Sequence, residues 1–207
     1  MLEPIQGEGG VIIPQVNYLK KVKELCEKYN VLLIIDEVQT GLGRTGKLMG
    51  YMHDLGDLKP DIVAMAKALS GGISPVSGIV ANDPIMMTIK PGDHGSTFGG
   101  NSFGMAVAKV AVSTLVEEGM VENSEKMGAY LLSELRKLKS PTIKEVRGRG
   151  LFVGLEFHHD LNIDGNYFAK ILMKNGLLTK ATHDHCIRFS PALVINKGEI
   201  DEACSII

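Results

Sequence analysis

Apolar and polar positions follow two different patterns in the first part of the chain. Apolar residues first recur at steps of three and four, which predicts an amphipathic helix ending at Asn30. The run VLLIID at residues 31–36 then has the length of a parallel strand covered on both faces. Two further runs lie at 61–66 and 76–81. Strands separated by long crossovers predict an α/β layered sheet that is mainly parallel. The helical positions are Val16, Leu19, Val22, Leu25, Cys26 and Tyr29.

The pattern changes after the glycine-rich segment 91–104. Apolar spacing predicts two helices in succession, followed by short strands that alternate with helices. We therefore expect two domains, with residues 1–118 carrying the layered sheet and residues 119–207 forming a small α+β domain. The predicted helices are 103–118, 121–138, 165–175 and 197–207, and the predicted strands are 143–147, 150–157, 177–181 and 187–190.

Composition narrows the classes of partner and compartment. The 207 residues are 44% hydrophobic and carry a formal charge of −2, which gives no electrostatic reason to expect nucleic acid or an anionic membrane. No apolar run approaches the roughly 20 residues that span a bilayer. Three widely spaced cysteines predict reduced thiols in a cytoplasmic compartment, with a mitochondrial location left open. The opening MLEP reads as the tail of a strand, so we expect an N-terminal part to be missing.

The glycine-rich stretch after the first strand resembles two nucleotide-binding loops. Gly41, Gly43 and Gly46 match the dinucleotide spacing G-x-G-x-x-G, and Lys47 follows as in a triphosphate loop, but Leu48 stands where Ser or Thr would bind magnesium. Both loops need the strand to enter the glycines directly and a helix to follow them. Here EVQT intervenes and glycine and proline follow, so neither interpretation is favoured.

Two ionisable residues end neighbouring predicted strands. Asp36 closes VLLIID, and Lys67 closes DIVAMAK. Taken alone, Asp36 could cap the next turn and Lys67 could be an ordinary exposed lysine. Together at one sheet edge they supply what pyridoxal 5′-phosphate requires. A lysine half-buried among apolar residues forms the Schiff base, and an acid holds the pyridine nitrogen protonated.

At this point a run of motifs resembles the class III (ω-amino acid) aminotransferases from nearly one end of the chain to the other. Within that class, the segments IKPGDHGSTFGGN and THDHCIRFSPALVI are most similar to the ornithine aminotransferases. The resemblance implies a fold-type I enzyme with a large cofactor domain and a small domain, of which this chain covers the later part. The motifs are EPIQGEGG, DEVQTGLGRTG, DIVAMAKALSGG, HGSTFGGN, VRGRGLFVGLE and IRFSPAL.

The resemblance also implies the roles of individual residues. Lys67 would bind pyridoxal 5′-phosphate covalently and shuttle the proton, while Asp36 would pair with the ring nitrogen. Val38 would pack against one ring face, and Gln39 would hydrogen-bond the ring hydroxyl. The loop GLGRTG would be a structural turn near the site.

Ser96 and Thr97 in HGSTFGG would bind the cofactor phosphate of a neighbouring subunit. Hydroxyls and glycine N–H groups in a tight loop suit phosphate oxygens. This role implies a homodimer with shared active sites. The alternative is that residues 91–104 form a mobile surface loop.

Glu8 and Arg188 are interpreted as a pair. An arginine among apolar neighbours needs a carboxylate. In ornithine aminotransferases the matching residues form a movable ion pair, in which the arginine binds a substrate α-carboxylate and the glutamate masks it when ornithine presents its δ-amine. The alternative is a fixed ion pair between the two domains. His158, His159, His183 and His185 lie in turn-like polar contexts, so we interpret the histidines as solvated and expect no metal site.

The resemblance implies transfer of the δ-amino group of ornithine to 2-oxoglutarate, giving glutamate 5-semialdehyde and glutamate. Two alternatives stay open, namely another class III transaminase, for example one acting on N-acetylornithine, and a non-catalytic fragment. Ser102, Ala192 and Gly9 depart from the usual family residues. Since the front half of such an enzyme has no counterpart here, we expect the chain alone to be inactive and prone to aggregate.

Overall fold

The apolar runs form two separate β-sheets in the computed structural model, which describes residues 1–160 and 164–207. The helices are α1 (Tyr18–Lys28), α2 (Met52–Leu55), α3 (Asp83–Met86), α4 (Ser102–Glu117), α5 (Met120–Leu135), α6 (Gly165–Lys174) and α7 (Lys197–Ile206). The strands are β1 (Ile34–Asp36), β2 (Ile62–Met65), β3 (Gly78–Ala81), β4 (Ile143–Arg149), β5 (Phe152–Phe157), β6 (Lys180–Ala181) and β7 (Cys186–Phe189).

The first sheet has the order β1-β2-β3. Strands β1 and β2 are parallel, and their register places Asp36 beside Ala64. Strand β3 is antiparallel to β2, so the described part of this sheet is mixed. After β2 the chain makes a 3-10 turn over Lys67–Ser70, and Gly71 and Gly72 follow with φ of 63° and 84°. This reversal brings β3 back alongside β2.

The first strand is shorter than its apolar run predicts. Val31 and Leu32 are exposed, and the ladder begins only at Ile34. At this point the Asp61 carboxylate accepts the Leu33 N–H at 2.7 Å and also binds Lys23 Nζ at 3.1 Å. Side-chain anchoring therefore replaces strand pairing where α1 leads into β1.

The second sheet has the order β4-β5-β7-β6 and is antiparallel throughout its described strands. Helices α5, α6 and α7 contribute apolar faces that bury β5 and β7. This is the α+β arrangement that the alternating pattern predicts, although the predicted strand 177–181 shrinks to Lys180–Ala181. The predicted domain boundary at residue 118 stays a prediction. The fully or nearly fully buried residues include Leu131, Leu135, Leu151, Val153, Leu155, Ile187 and Ile200.

A close backbone contact joins loop 41–46 to the second sheet and α5. Gly150 has φ of 53°, and a Cβ atom there would lie 2.3 Å from the Thr45 carbonyl carbon. A Cβ atom on Gly128 of α5 would lie 2.1 Å from the carbonyl oxygen of Gly150. Three backbone segments therefore meet where a side chain would not fit.

Some apolar surface stays open in this chain. Ile79 and Val80 of β3 are exposed, as are Phe103 and Val110 of α4. Exposed apolar residues promote association where they form a patch. The expected aggregation of the isolated chain stays a prediction. In the described part of the chain, no helix combines the length and apolarity that a bilayer crossing requires.

We predict that Gly128→Ala lowers the free energy of unfolding by about 2 kcal/mol or more, because the new methyl group overlaps Gly150. Helix propensity alone predicts the opposite, since Ala is favoured over Gly by about 1 kcal/mol within a helix. Chemical denaturation measures the difference. Gly78→Ala is the control, because its Cβ meets no atom within 4 Å. A Gly128→Ala protein as stable as the parent would contradict the close contact.

Candidate active site

A pocket of about 360 Å³ opens at the carboxyl ends of β1 and β2 and faces β7 of the second sheet. Five of the residues singled out in the sequence line it, although they are as much as 180 positions apart. These residues are Glu8, Val38, Gln39, Lys67 and Arg188. Asp36 lies at the end of β1 beside the pocket, and Ser96 and Thr97 are not among the lining residues.

Lys67 lies directly after β2 with a backbone that non-glycine residues rarely adopt. Its φ is 49°, in the left-handed region. Such strain is stored mainly where a side chain must be aimed at a functional site. Lys67 is exposed in this chain, so the expectation of a half-buried lysine was wrong. The residue starts the 3-10 turn that leaves β2 and therefore lies outside the strand ladder.

Asp36 is the last residue of β1 and is half-buried. Its Oδ1 accepts the N–H of Val38 at 3.0 Å. This contact caps the turn after β1, as the simpler alternative for Asp36 predicts. It also fixes the carboxylate next to Val38 and Gln39, which line the pocket. A role toward a pyridine nitrogen stays a prediction.

Glu37 organises the loop behind the pocket, a role that the sequence pattern did not predict. Its side chain is buried, and Oε1 accepts the Tyr51 N–H at 2.8 Å. Oε2 accepts the Gly50 N–H at 2.9 Å and the Thr40 hydroxyl at 2.6 Å. Burial raises the pKa of Glu37, and these hydrogen bonds oppose that rise. An acid that follows a buried strand and precedes a glycine-rich loop is the signal that could have indicated this role.

Glu8, Gln39 and Arg188 form a closed triangle of hydrogen bonds. Arg188 Nη1 donates to Glu8 Oε1 at 3.0 Å and to Gln39 Oε1 at 3.0 Å. Gln39 Nε2 donates to Glu8 Oε1 at 3.1 Å. The hydrogen bonds from Arg188, Gln39 and Lys180 lower the pKa of Glu8 to about 2. Glu8 is therefore a carboxylate at any physiological pH.

Arg188 is held more firmly than its partner. Its side chain is 10% exposed, against 57% for Glu8. The guanidinium carbon lies 5.7 Å from the centre of the Phe152 ring, a cation–π geometry. Its Nε is buried and lacks a hydrogen-bond partner among the described residues. The arginine is thus a fixed cation, and the glutamate is a solvent-exposed group that can leave it.

Arg44 is a second cation in the pocket wall, and it comes from the loop that resembled a nucleotide grip. Its Nη1 donates to the carbonyl oxygens of Leu151 at 3.0 Å and Pro191 at 2.6 Å. Burial lowers the pKa of Arg44 to about 10, and nearby Arg188 adds to this effect. The loop glycines serve close packing, and α2, only four residues long, is the first helix after them. The loop therefore acts as a structural turn.

Ser96 and Thr97 are exposed in this chain. Ser96 Oγ accepts the Gly99 N–H at 3.0 Å, so the glycine-rich segment folds on itself. An exposed position suits a contact with another subunit, and it suits a surface loop equally. The phosphate role of these hydroxyls stays a prediction.

Two of the histidines stack on each other. His159 and His185 have ring centres 4.6 Å apart. The His159 side chain is 57% exposed, as expected, whereas His185 is half-buried. Within residues 1–160 and 164–207, no cluster of three or more His, Cys, Asp or Glu side chains could hold a metal ion.

Comparison with known proteins gives consistent results for family and fold. The Aminotransferase class-III family matches residues 1–207. A probable mitochondrial ornithine aminotransferase of Caenorhabditis elegans is 50% identical over 207 residues, which are 100% of this chain and 48% of that protein. The chain therefore spans about half the length of the curated relatives that it matches.

Solved structures show the same likeness. The ornithine aminotransferase of Toxoplasma gondii is 46% identical with a TM-score of 0.94, over 99% of this chain and 48% of that one. The acetylornithine aminotransferase of Elizabethkingia anophelis is 47% identical with a TM-score of 0.92, over 99% of this chain and 52% of that one. The predicted fold-type I class is confirmed by these neighbours.

We predict that Glu37→Gln lowers the free energy of unfolding by about 1–3 kcal/mol, the cost of a buried polar group left unsatisfied. Both carboxylate oxygens accept backbone N–H groups, and an amide nitrogen cannot accept one. Chemical denaturation measures the change, with the exposed Glu118→Gln as the matched control. Equal stability of the two variants would show that the Glu37 contacts do not hold the loop.

Proposed function

The chain belongs to the class III aminotransferases, and from that membership we propose that this protein transfers the δ-amino group of ornithine to 2-oxoglutarate. The products are glutamate 5-semialdehyde and glutamate. The observation that carries the proposal is the pocket that joins a strained lysine to an arginine covered by a glutamate. Ornithine has two amines and one carboxylate, so an enzyme that uses the δ-amine must keep the α-carboxylate off that arginine.

The residues present fit pyridoxal 5′-phosphate. The cofactor needs a lysine amine, a nearby carboxylate and an apolar side chain against its ring, and Lys67, Asp36 and Val38 can supply these at adjoining strand ends. When bound, the cofactor supplies an aldehyde for an amine and an electron-withdrawing ring that stabilises a carbanion. The Toxoplasma gondii ornithine aminotransferase has partial occupancy of this cofactor at its active site.

Each residue has a defined task in this proposal. Lys67 would hold the cofactor through Nζ and, once an incoming amine has released it, would carry the proton to and from the reacting carbon of the substrate. Asp36 keeps the ring nitrogen positively charged. Val38 packs against the ring face, and Gln39 donates to the ring hydroxyl. Ser96 and Thr97 bind the phosphate held by a neighbouring subunit, which makes the active unit a homodimer.

N-acetylornithine is a second candidate for the amino donor. The Elizabethkingia anophelis acetylornithine aminotransferase is as similar to this chain as the ornithine enzyme of Toxoplasma gondii is. The contact of Glu8 with Arg188 favours ornithine as the donor. Ornithine has a free α-amine beside its α-carboxylate, and Glu8 keeps that carboxylate from binding Arg188 and presenting the wrong amine. We place the protein in the cytoplasm, with mitochondria as the alternative, given that the Caenorhabditis elegans relative is named as mitochondrial.

We predict that the cofactor becomes attached to Lys67. Borohydride reduction of the cofactor-loaded enzyme, followed by peptide mapping, should place the pyridoxyl group on the peptide that contains AMAKALSGG. Label on another lysine would remove the aminotransferase proposal.

We predict that Asp36→Ala is still labelled at Lys67 but loses several powers of ten in transamination rate, because the ring nitrogen loses its charged partner. A loss below about tenfold in Asp36→Ala would reduce Asp36 to a turn cap.

We predict that Glu8→Ala shifts donor preference from ω-amines toward α-amino acids by about tenfold or more, or ~1.4 kcal/mol. Arg188 then stays free, so the α-carboxylate of an α-amino acid no longer competes with Glu8 for one guanidinium. The measurement is the ratio of kcat/KM for ornithine to that for glutamate. The exposed Glu122→Ala is the control. An equal decline with both donors would mean that the pair is structural.

A further inference from the structure

Two cations lie side by side next to the pocket. Lys180 of β6 and Arg188 of β7 are directly paired in the antiparallel register. Side chains at such positions share one face of the sheet, and like charges directly opposite each other are destabilising. The Glu8 carboxylate lies between them, with Oε1 on Arg188 at 3.0 Å and Oε2 on Lys180 at 3.2 Å. One carboxylate thus joins two cations through its two oxygens.

The two cations differ in mobility. Arg188 is 10% exposed and stacks on Phe152, whereas Lys180 is 62% exposed at the pocket rim. A lysine on a flexible four-carbon stem can follow a moving carboxylate, while a stacked guanidinium stays in place. If Glu8 leaves Arg188, Glu8 is also free to lose its hydrogen bond with Gln39, because Gln39 and Arg188 both donate to Oε1 of Glu8. The Lys180 contact is made to the other oxygen.

We propose that Lys180 is a positioning residue that keeps the Glu8 carboxylate compensated while Arg188 exchanges it for the α-carboxylate of a substrate. The proposal deepens and rests on the aminotransferase function. Lys180 already contacts Glu8 in the covered state, so it favours uncovering only through a stronger contact in the uncovered state. Once Arg188 releases Oε1, both Glu8 oxygens are free to turn to Lys180, and this stronger contact lowers the cost of uncovering Arg188 and favours dicarboxylate binding.

The test uses the full cofactor-loaded enzyme and glutarate, an unreactive five-carbon dicarboxylate, as the probe. Calorimetric titration should show that Lys180→Met raises the Kd for glutarate about threefold, the scale of an exposed ion pair. The kcat/KM for ornithine should change much less, because that donor leaves Glu8 in place. Lys180→Arg should restore glutarate binding, and Lys174→Met of α6, an exposed lysine, is the matched control.

A double-mutant cycle with Glu8→Ala separates the mechanisms. In that background Lys180→Met should no longer change the Kd for glutarate, because no carboxylate is left to compensate. A persisting loss would mean that Lys180 binds the substrate itself, and it would overturn the proposal. A lower Kd in the single variant, or an equal loss with glutarate and ornithine, would overturn it too.

Measurements on the parent enzyme distinguish a failure of the proposed function from a failure of the role of Lys180. A parent that fails to bind glutarate and to transaminate ornithine would overturn the proposed function, and the role of Lys180 would fall with it. A parent that does both, while Lys180→Met and Lys174→Met behave alike, would overturn only the role of Lys180.

Discussion

The backbone contact between loop 41–46, the turn at Gly150 and helix α5 sets the spacing of the two sheets. Gly150 lies against Thr45, and Gly128 lies against Gly150, with no room for a Cβ atom at either glycine. The same junction is tied by Ser124, whose hydroxyl donates to the Arg44 carbonyl at 3.1 Å. Since Lys67 follows a strand of the first sheet and Arg188 lies in the second, this contact helps to set the separation of the lysine and the arginine across the pocket.

Electrostatics in the pocket favours an exchangeable anion. Arg44 and Arg188 place two cations in one pocket wall, and Glu8 is the carboxylate that Arg188 contacts. Breaking a buried ion pair by removing one partner costs about 3–5 kcal/mol, whereas an exposed pair contributes about 0–1 kcal/mol. Glu8 is more than half exposed, so its contact with Arg188 belongs nearer the second class. A weak ion pair of this kind is one that another carboxylate can displace.

Much of the fold follows from local patterns, and the misses have local causes. The continuous apolar runs became strands, yet Val31 and Leu32 lie outside the ladder because the Asp61 carboxylate anchors the neighbouring backbone. The amphipathic helix begins at Tyr18 instead of Val16, because Asn17 has φ of 66° and the Asp54 carboxylate binds the first N–H groups. In both places the carboxylate of a residue distant in sequence accepts backbone N–H groups at the end of a predicted strand or helix.

Sequence by itself determined the family, the order of the strands and of the longer helices, and the residue types that a pyridoxal phosphate enzyme requires. Lys67 and Asp36 could be singled out because each lies at or just after the end of an apolar run, and the carboxyl ends of neighbouring parallel strands meet at one edge. Only the tertiary structure decided that Lys180 stands beside Arg188, that Glu37 holds the loop behind the pocket, and that the glycines of loop 41–46 serve packing. Those contacts join residues far apart in the chain, and a periodicity of two or 3.6 residues carries no information about which distant segments will touch.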